Sequence, residues 1–386
     1  MGLLSTLLVL FKFGFDGATT NTNYNLKLAE GEQDSQMFVS ALCFLQVYAN
    51  SNLVWTNPSP GGTSFCKPIR ISFQKEEVSL VNEEYARILR EIPQSMEFGL
   101  EINSEWRNFR VQFQGRASML DGKCLNTVSH NNATSRCHMC KKTAKQFMSD
   151  VPSIGTESDW TNPLSITPML HSYIRSLEFF LKLAYKAPLQ SQTYASISKA
   201  DRAVRMAAIK KTIQRRIKTR LGVTVDQVKP VYGNTNTGNV ARKCLRNPKA
   251  FSLCLDIDEN VLSMYSELLE CFTSFNQQYP EEYLKKSVVF DRYFKEKFPW
   301  ANYTPTVHKV VAHGALIIMA NPLPLGFMTE EPIESMIREI REIRLKFARK
   351  NSRKNNLEDV FNFLNMKSDF VVLKQKIGLP DVTDVD

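Results

Sequence analysis

Three acidic residues matter most for the chemistry they can do together. Asp16 closes an apolar run in Phe15-Asp16-Gly17-Ala18-Thr19-Thr20. Asp121 sits in Ser118-Met119-Leu120-Asp121-Gly122-Lys123, and Glu334 in Thr329-Glu330-Glu331-Pro332-Ile333-Glu334-Ser335. Carboxylates from separate elements that meet at one point can hold two hard cations, the donor set a two-metal phosphodiester enzyme requires. Taken alone, an Asp-Gly step is a turn signal, and Glu334 with Arg338 is an i,i+4 pair on a solvated helix. Cys137-x-x-Cys140 is a second feature, since two thiolates at this spacing make a common half of a tetrahedral zinc site. His138, between them, reads as a bystander.

The elements that must position these residues change character along the chain. Residues 4–15, 37–48, 67–74 and 109–114 are β-branched or aromatic runs and are expected as strands. Turn-rich residues 31–35 and 57–64 separate them, the latter with Pro58, Pro60, Gly61 and Gly62. Helical spacing covers 82–92. Asp16 closes the first of these strands and Asp121 follows the last, so pairing of the two side by side would bring both acids to one sheet edge.

From about residue 165 the pattern is helical, over 167–187, 199–220, 259–276, 281–298, 307–320, 331–350 and 357–376. Pro168 suits the first turn of its helix. Along 331–350, Ile333, Ile337, Ile340 and Phe347 form the expected buried stripe, and Glu334, Arg338 and Arg341 share another face. The 212 residues between Asp121 and Glu334 far exceed what the sheet needs, so an inserted helical domain is expected.

Residues 199–220 carry nine basic side chains against one acid, Asp201. Met206, Ile209, Ile213, Ile217 and Leu221 make an apolar face that leaves Lys210, Lys211, Arg215, Arg216 and Lys218 to solvent. A charged face keeps a helix soluble; in a DNA enzyme it neutralises phosphates. Tyr232-Gly233-Asn234-Thr235-Asn236-Thr237-Gly238-Asn239 reads as a loop ahead of Arg242-Lys243 whose amides can wrap a backbone phosphate. Its spacing fits no Walker loop.

The bulk composition agrees with an anionic partner. With 49 basic and 39 acidic residues in 386, the chain carries a net charge of +10 and a pI near 9.1. Eight dispersed cysteines suit a reducing, intracellular compartment better than a disulfide framework. Asn132 and Asn302 are then chance sequons. Residues 3–15 lack a basic leader and run into Lys12-Phe13-Gly14-Phe15-Asp16, so they are not expected to act as a secretion signal. No run reaches the roughly 20 apolar residues of a membrane helix.

Seven segments in register resemble the catalytic core of Transib DNA transposases and of the related catalytic subunit of the vertebrate V(D)J recombinase. They are Asp16-Gly17-Ala18-Thr19 with Asn23-Tyr24, then Met119-Leu120-Asp121-Gly122-Lys123-Cys124-Leu125-Asn126, then Cys137-His138-Met139-Cys140. Gly238-Asn239-Val240-Ala241-Arg242-Lys243, His308, His313 and the Glu334 segment follow in family order, so the likeness spans about 8 to 375.

The resemblance implies an α/β RNase H-like domain with an Asp-Asp-Glu triad, here Asp16, Asp121 and Glu334. A large helical zinc-binding insertion interrupts it, and a helical C-terminal region follows. The expected division is 1–130, 131–330 and 331–386. It implies two Mg²⁺ or Mn²⁺ ions at the triad and one structural Zn²⁺ held by Cys137, Cys140, His308 and His313. Five residues apart, the two histidines point about 140° apart on an ideal helix, so a bend or helix end is expected between Pro305 and Gly314.

The implied activity is DNA nicking, hairpin formation and strand transfer. Lys210, Lys211, Arg215, Arg216, Lys218, Asn239, Arg242, Lys243, Arg338, Arg341 and His171, which opens a helix, would contact the DNA. Double-stranded DNA, a second copy of the chain and an accessory recombinase subunit are the implied partners, and the nucleus the implied compartment. In family members, recognition of transposon ends and help with dimerisation come from a part preceding the region matched here. Two alternatives stay open: a domesticated or truncated DNA-binding derivative without catalysis, and an RNase H-like nuclease without strand transfer.

Overall fold

The computed structural model describes residues 5–19, 24–102, 104–131, 133–190, 198–229 and 233–377. They form a mixed β-sheet and many helices in two compact units, Met1–His130 with Phe327–Asp386, and Asn131–Gly326. Thr20, Asn23, Asn132 and Tyr232 lie outside the described residues.

The first unit is built on β1 (Ser5–Thr19), β2 (Gln36–Ala49), β3 (Asn52–Thr56), β4 (Cys66–Ser72), β5 (Ser95–Ile102) and β6 (Glu105–Arg116). The order is β3-β2-β1-β6-β5, with β4 sharing the outer edge of β2. β1 runs antiparallel to β2 and parallel to β6, while β5 and β6 form an antiparallel pair. The central strand needs cover on both faces, and its period of two sorts the residues. Phe11, Phe13 and Phe15 take the face covered by α1 (Val78–Glu91), where the Phe13 ring lies 6.3 Å from Tyr85. Leu10, Lys12, Gly14, Asp16 and Ala18 take the other. There α12 (Glu331–Lys346) packs against β1 and β2.

Several boundaries differ from expectation for local reasons. β1 does not end at Asp16 but continues to Thr19, paired there with β2 alone. β3 and β5 gave no usable pattern: β3 is mostly solvent-exposed, and β5 has Gly99 in its interior. The stripe of α12 is Ile333, Met336, Ile337, Ile340 and Ile343, whereas Phe347 is 65% exposed. The helix stops at Lys346 because the amides of Phe347 and Ala348 both donate to the Ile343 carbonyl. Residues 357–376 are not one helix. α13 (Arg353–Lys367) and α14 (Phe370–Ile377) are split at Asp369, whose Oδ1 accepts from the Val371 amide at 2.9 Å.

The second unit is helical: α3 (Ala144–Phe147), α4 (Glu157–Thr161), α5 (Met169–Lys186), α6 (Lys199–Leu221), α7 (Gly238–Leu245), α8 (Pro248–Leu255), α9 (Glu259–Phe272), α10 (Pro280–Lys297) and α11 (Pro305–Ala320). The first unit holds one further short helix, α2 (Gly122–Val128). α11 is buried almost all round, whereas α5 keeps a polar strip of His171, Arg175, Glu178, Lys182 and Lys186 and buries its other faces. Rings of Phe179, Phe180, Tyr265, Phe290, Phe294 and Tyr303 interlock in the core of this unit.

Pro168 caps α5 instead of entering it, and α9 ends four residues early, at Phe272. α7 and α8 span two turns each, too short for a periodic signal, and α7 takes up Gly238 and Asn239 that read as loop. Among the described residues no single helix is long and apolar enough to cross a membrane.

Candidate functional site

In the first unit β1, which carries Asp16, pairs in parallel with β6, which leads to Asp121. The register runs from Ser5↔Phe109 to Lys12↔Arg116, and the Met119 amide donating to the Phe13 carbonyl at 3.1 Å carries it on. Asp121 follows the end of β6 as Asp16 follows the end of this pairing on β1. Two glycines allow close approaches here. A Cβ on Gly14 would stand 2.0 Å from the Met119 carbonyl oxygen, and one on Gly17 would stand 2.4 Å from Cβ of Glu76. Asp121 caps α2, its Oδ1 accepting from the Cys124 amide at 2.7 Å.

Glu76 is an acid that reading the sequence did not single out. Its Oε2 accepts from the Gly17 amide at 2.9 Å, and its Oε1 lies 2.7 Å from Nζ of Lys123. The buried thiol of Cys124 registers the gathering of charge. Burial first, then the negative charges of Asp121, Glu76 and Asp16, push it well above the usual thiol range. Asp121, Glu76 and Asp16 thus all lie near the Cys124 thiol. In the sequence Glu76 belongs to the charged run Lys75-Glu76-Glu77, which looks like any solvated turn. Nothing local distinguishes it; only the glycine two positions from a buried Phe15 hints that something approaches.

Glu334 stands in the first turn of α12, half-buried. Two bonds fix the course of this helix along β1. Ahead of it, the Thr329 carbonyl accepts from Lys12 Nζ at 2.7 Å; further on, Arg341 Nη2 donates to the Thr19 carbonyl at 3.4 Å. Asp16 lies between Lys12 and Thr19 on the strand, as Glu334 lies between Thr329 and Arg341 on the helix. Arg338 is exposed on the same helix.

In the second unit Cys137, Cys140, His308 and His313 do meet, their ligand atoms all within 4.8 Å of one another. Cys140 Sγ is 3.4 Å from His308 Nε2. Sulfur and nitrogen on one tetrahedral zinc stand about 3.6 Å apart, so the pair is spaced as ligands. His313 Nε2 is buried and makes no hydrogen bond, the state of a nitrogen whose partner is an ion. The two cysteines sit on a tight knuckle. The Cys137 amide donates to the Lys142 carbonyl at 3.0 Å, and Lys141 adopts φ 61°.

The thiol of Cys140 donating to Cys137, with the buried Lys309 ammonium assisting, lowers the Cys137 pKa to about 6. Phe147 stacks on His308 at 4.0 Å and 9°, and Asp150 Oδ2 is 3.3 Å from its Nε2. His138 turns away, its Nε2 at 3.1 Å from the Leu164 carbonyl. The expected break between His308 and His313 is absent. α11 is helical through both, and their rings meet at 4.8 Å and 86°.

The basic helix behaves as its pattern implies. Ile213, Ile217 and Leu221 are buried, Met206 and Ile209 half-buried, and Lys211, Arg215, Arg216 and Lys218 exposed. Lys210 is drawn towards Asp226, at 3.7 Å. Asn239 and Lys243 are exposed on α7, where Arg242 lies over the Tyr173 ring at 5.3 Å, and His171 is half-buried in the first turn of α5. The chain matches no protein-family model and no curated protein.

Proposed function

We propose that this chain is the catalytic core of a Transib-like DNA transposase, related to the catalytic subunit of the V(D)J recombinase. The observation that carries the reading is that Asp16, Asp121 and Glu76 all lie near the Cys124 thiol, with the helix that bears Glu334 tied to the strand that carries Asp16. The order β3-β2-β1-β6 with a parallel β1–β6 pair supports an RNase H-like sheet. The 196-residue helical unit between Asn131 and Gly326 supports an insertion before the Glu.

A set of carboxylate oxygens fits hard divalent cations, and Asp16, Asp121 and Glu334 would hold two Mg²⁺ or Mn²⁺ ions. Bound there, the ions would activate water or a 3′-hydroxyl and stabilise the departing oxygen. The chain itself holds Glu76 against the Gly17 amide and Lys123 and caps α2 with Asp121, so both side chains are fixed by bonds within the protein. In this reading the Cys₂His₂ ion is a structural zinc, the substrate is double-stranded DNA, and the enzyme works in the nucleus as a dimer with an accessory subunit.

The direct test is to incubate the chain with plasmid and hairpin-competent duplex in Mg²⁺ or Mn²⁺. Nicks, hairpins and joined strands support the transposase. Nicks alone would favour the nuclease, and binding without cleavage would favour a non-catalytic DNA-binding derivative.

The basic helix makes its own prediction. Each phosphate neutralised on duplex DNA changes the slope of log affinity against log salt by about 0.9. Arg215→Ala with Arg216→Ala is expected to flatten that slope by about 1 to 2 units and to weaken all sequences alike. Anisotropy titrations from low to moderate salt measure it. An unchanged slope and affinity would make α6 a solvated surface and move DNA contact to Arg242-Lys243 and α12.

A further inference from the structure

Lys12 lies in the middle of β1 with none of its surface exposed, on the face that carries Asp16. Its ammonium donates to the backbone carbonyls of Pro60, Phe327 and Thr329, each at 2.7 Å. Three donors meet three acceptors, so the group is saturated. Pro60 belongs to the turn between β3 and β4. Phe327 and Thr329 belong to the segment entering α12, whose fourth residue is Glu334.

A buried cation satisfied by neutral carbonyls is a poor way to gain stability. Its desolvation is not offset by a directly bonded carboxylate, and an apolar side chain of similar length would fill the space. Apolar packing, however, is non-directional and would let the segment slide. Three short bonds converging on one nitrogen hold it in distance and direction. We propose that Lys12 is a positioning residue that locks the Phe327–Thr329 segment to β1 and thereby sets where Glu334 stands relative to Asp16. The role of Glu334 rests on the proposed function; the anchoring rests on the hydrogen bonds alone.

The test compares Lys12→Met, which keeps length and removes the donors, with Val360→Ala, a truncation in the buried face of α13 chosen to lower the melting temperature. In Lys12→Met, amides of residues 327–335 are expected to exchange at least about tenfold faster while β1 and β2 keep their protection. Mn²⁺ affinity, read by the paramagnetic resonance of the free ion, is expected to fall about 10- to 100-fold. Val360→Ala should leave both within about twofold. Lys12→Gln, which retains part of the donor set, should fall between.

Equal exchange in Lys12→Met and Val360→Ala overturns the proposal. So does failure of both Lys12 variants to fold, since Lys12 would then be a requirement of the core. If the unmodified chain shows no Mn²⁺ binding that Asp16→Asn abolishes, the acid-site reading fails, and the exchange arm still decides the anchoring.

Discussion

Asp16→Asn, Asp121→Asn and Glu334→Gln are each expected to lower metal-dependent DNA nicking by roughly a thousandfold or more, with duplex affinity kept within about threefold. The substitutions conserve shape and remove a charged ligand, so they act on the ions and not on the surface that meets phosphate. Asp121→Asn can still accept from the Cys124 amide and cap α2, which keeps the local fold. Gel assays of nicking beside anisotropy of binding separate the two effects. Parallel loss of both would indicate misfolding, and nicking that survives all three would place the chemistry elsewhere. Glu76→Gln sharpens the test. It preserves the acceptor for the Gly17 amide but weakens the pair with Lys123, and a loss of about tenfold or more would place Glu76 in the working set.

The second large effect is expected from the metal cluster. Cys140 and His308 are 168 positions apart, so an ion bound by both sides closes nearly the whole second unit into one loop. Structural zinc contributes on the order of 10 kcal/mol of apparent folding free energy at neutral pH. Chelation, or Cys137→Ser, is therefore expected to lower the melting temperature of this unit by about 10 °C or more and to release one zinc per chain. Elemental analysis and melting curves with and without chelator measure it. Protein purified without chelator that holds no zinc, and melts unchanged after chelation, would remove the ion. Buried His308 and Cys137 would then have to be explained as packing alone.

The strand character of residues 4–15, the apolar stripe of α6 and the Cys137–Cys140 knuckle were all legible in residue order. So was the length of chain between Asp121 and Glu334. Each is carried by a period of two or 3.6, or by turn chemistry within a few residues, and such patterns survive any packing. β3, α7 and α8 escaped because short or exposed elements carry too few periods.

Other features had no local trace. Glu76 reaches the Gly17 amide only because Gly17 lacks a side chain to keep it away, and the acceptors of Lys12 come from residues 48 to 317 positions distant. His308 and His313 share a point although helix geometry alone sets them about 140° apart, because packing of α11 inside the unit delivers both rings to the cysteine knuckle. A residue's order in the chain records its neighbours along the backbone. Whether a lysine, a carboxylate or an imidazole finds its partners across the core depends on which surfaces pack together, and that is a property of the assembled sheet and helices.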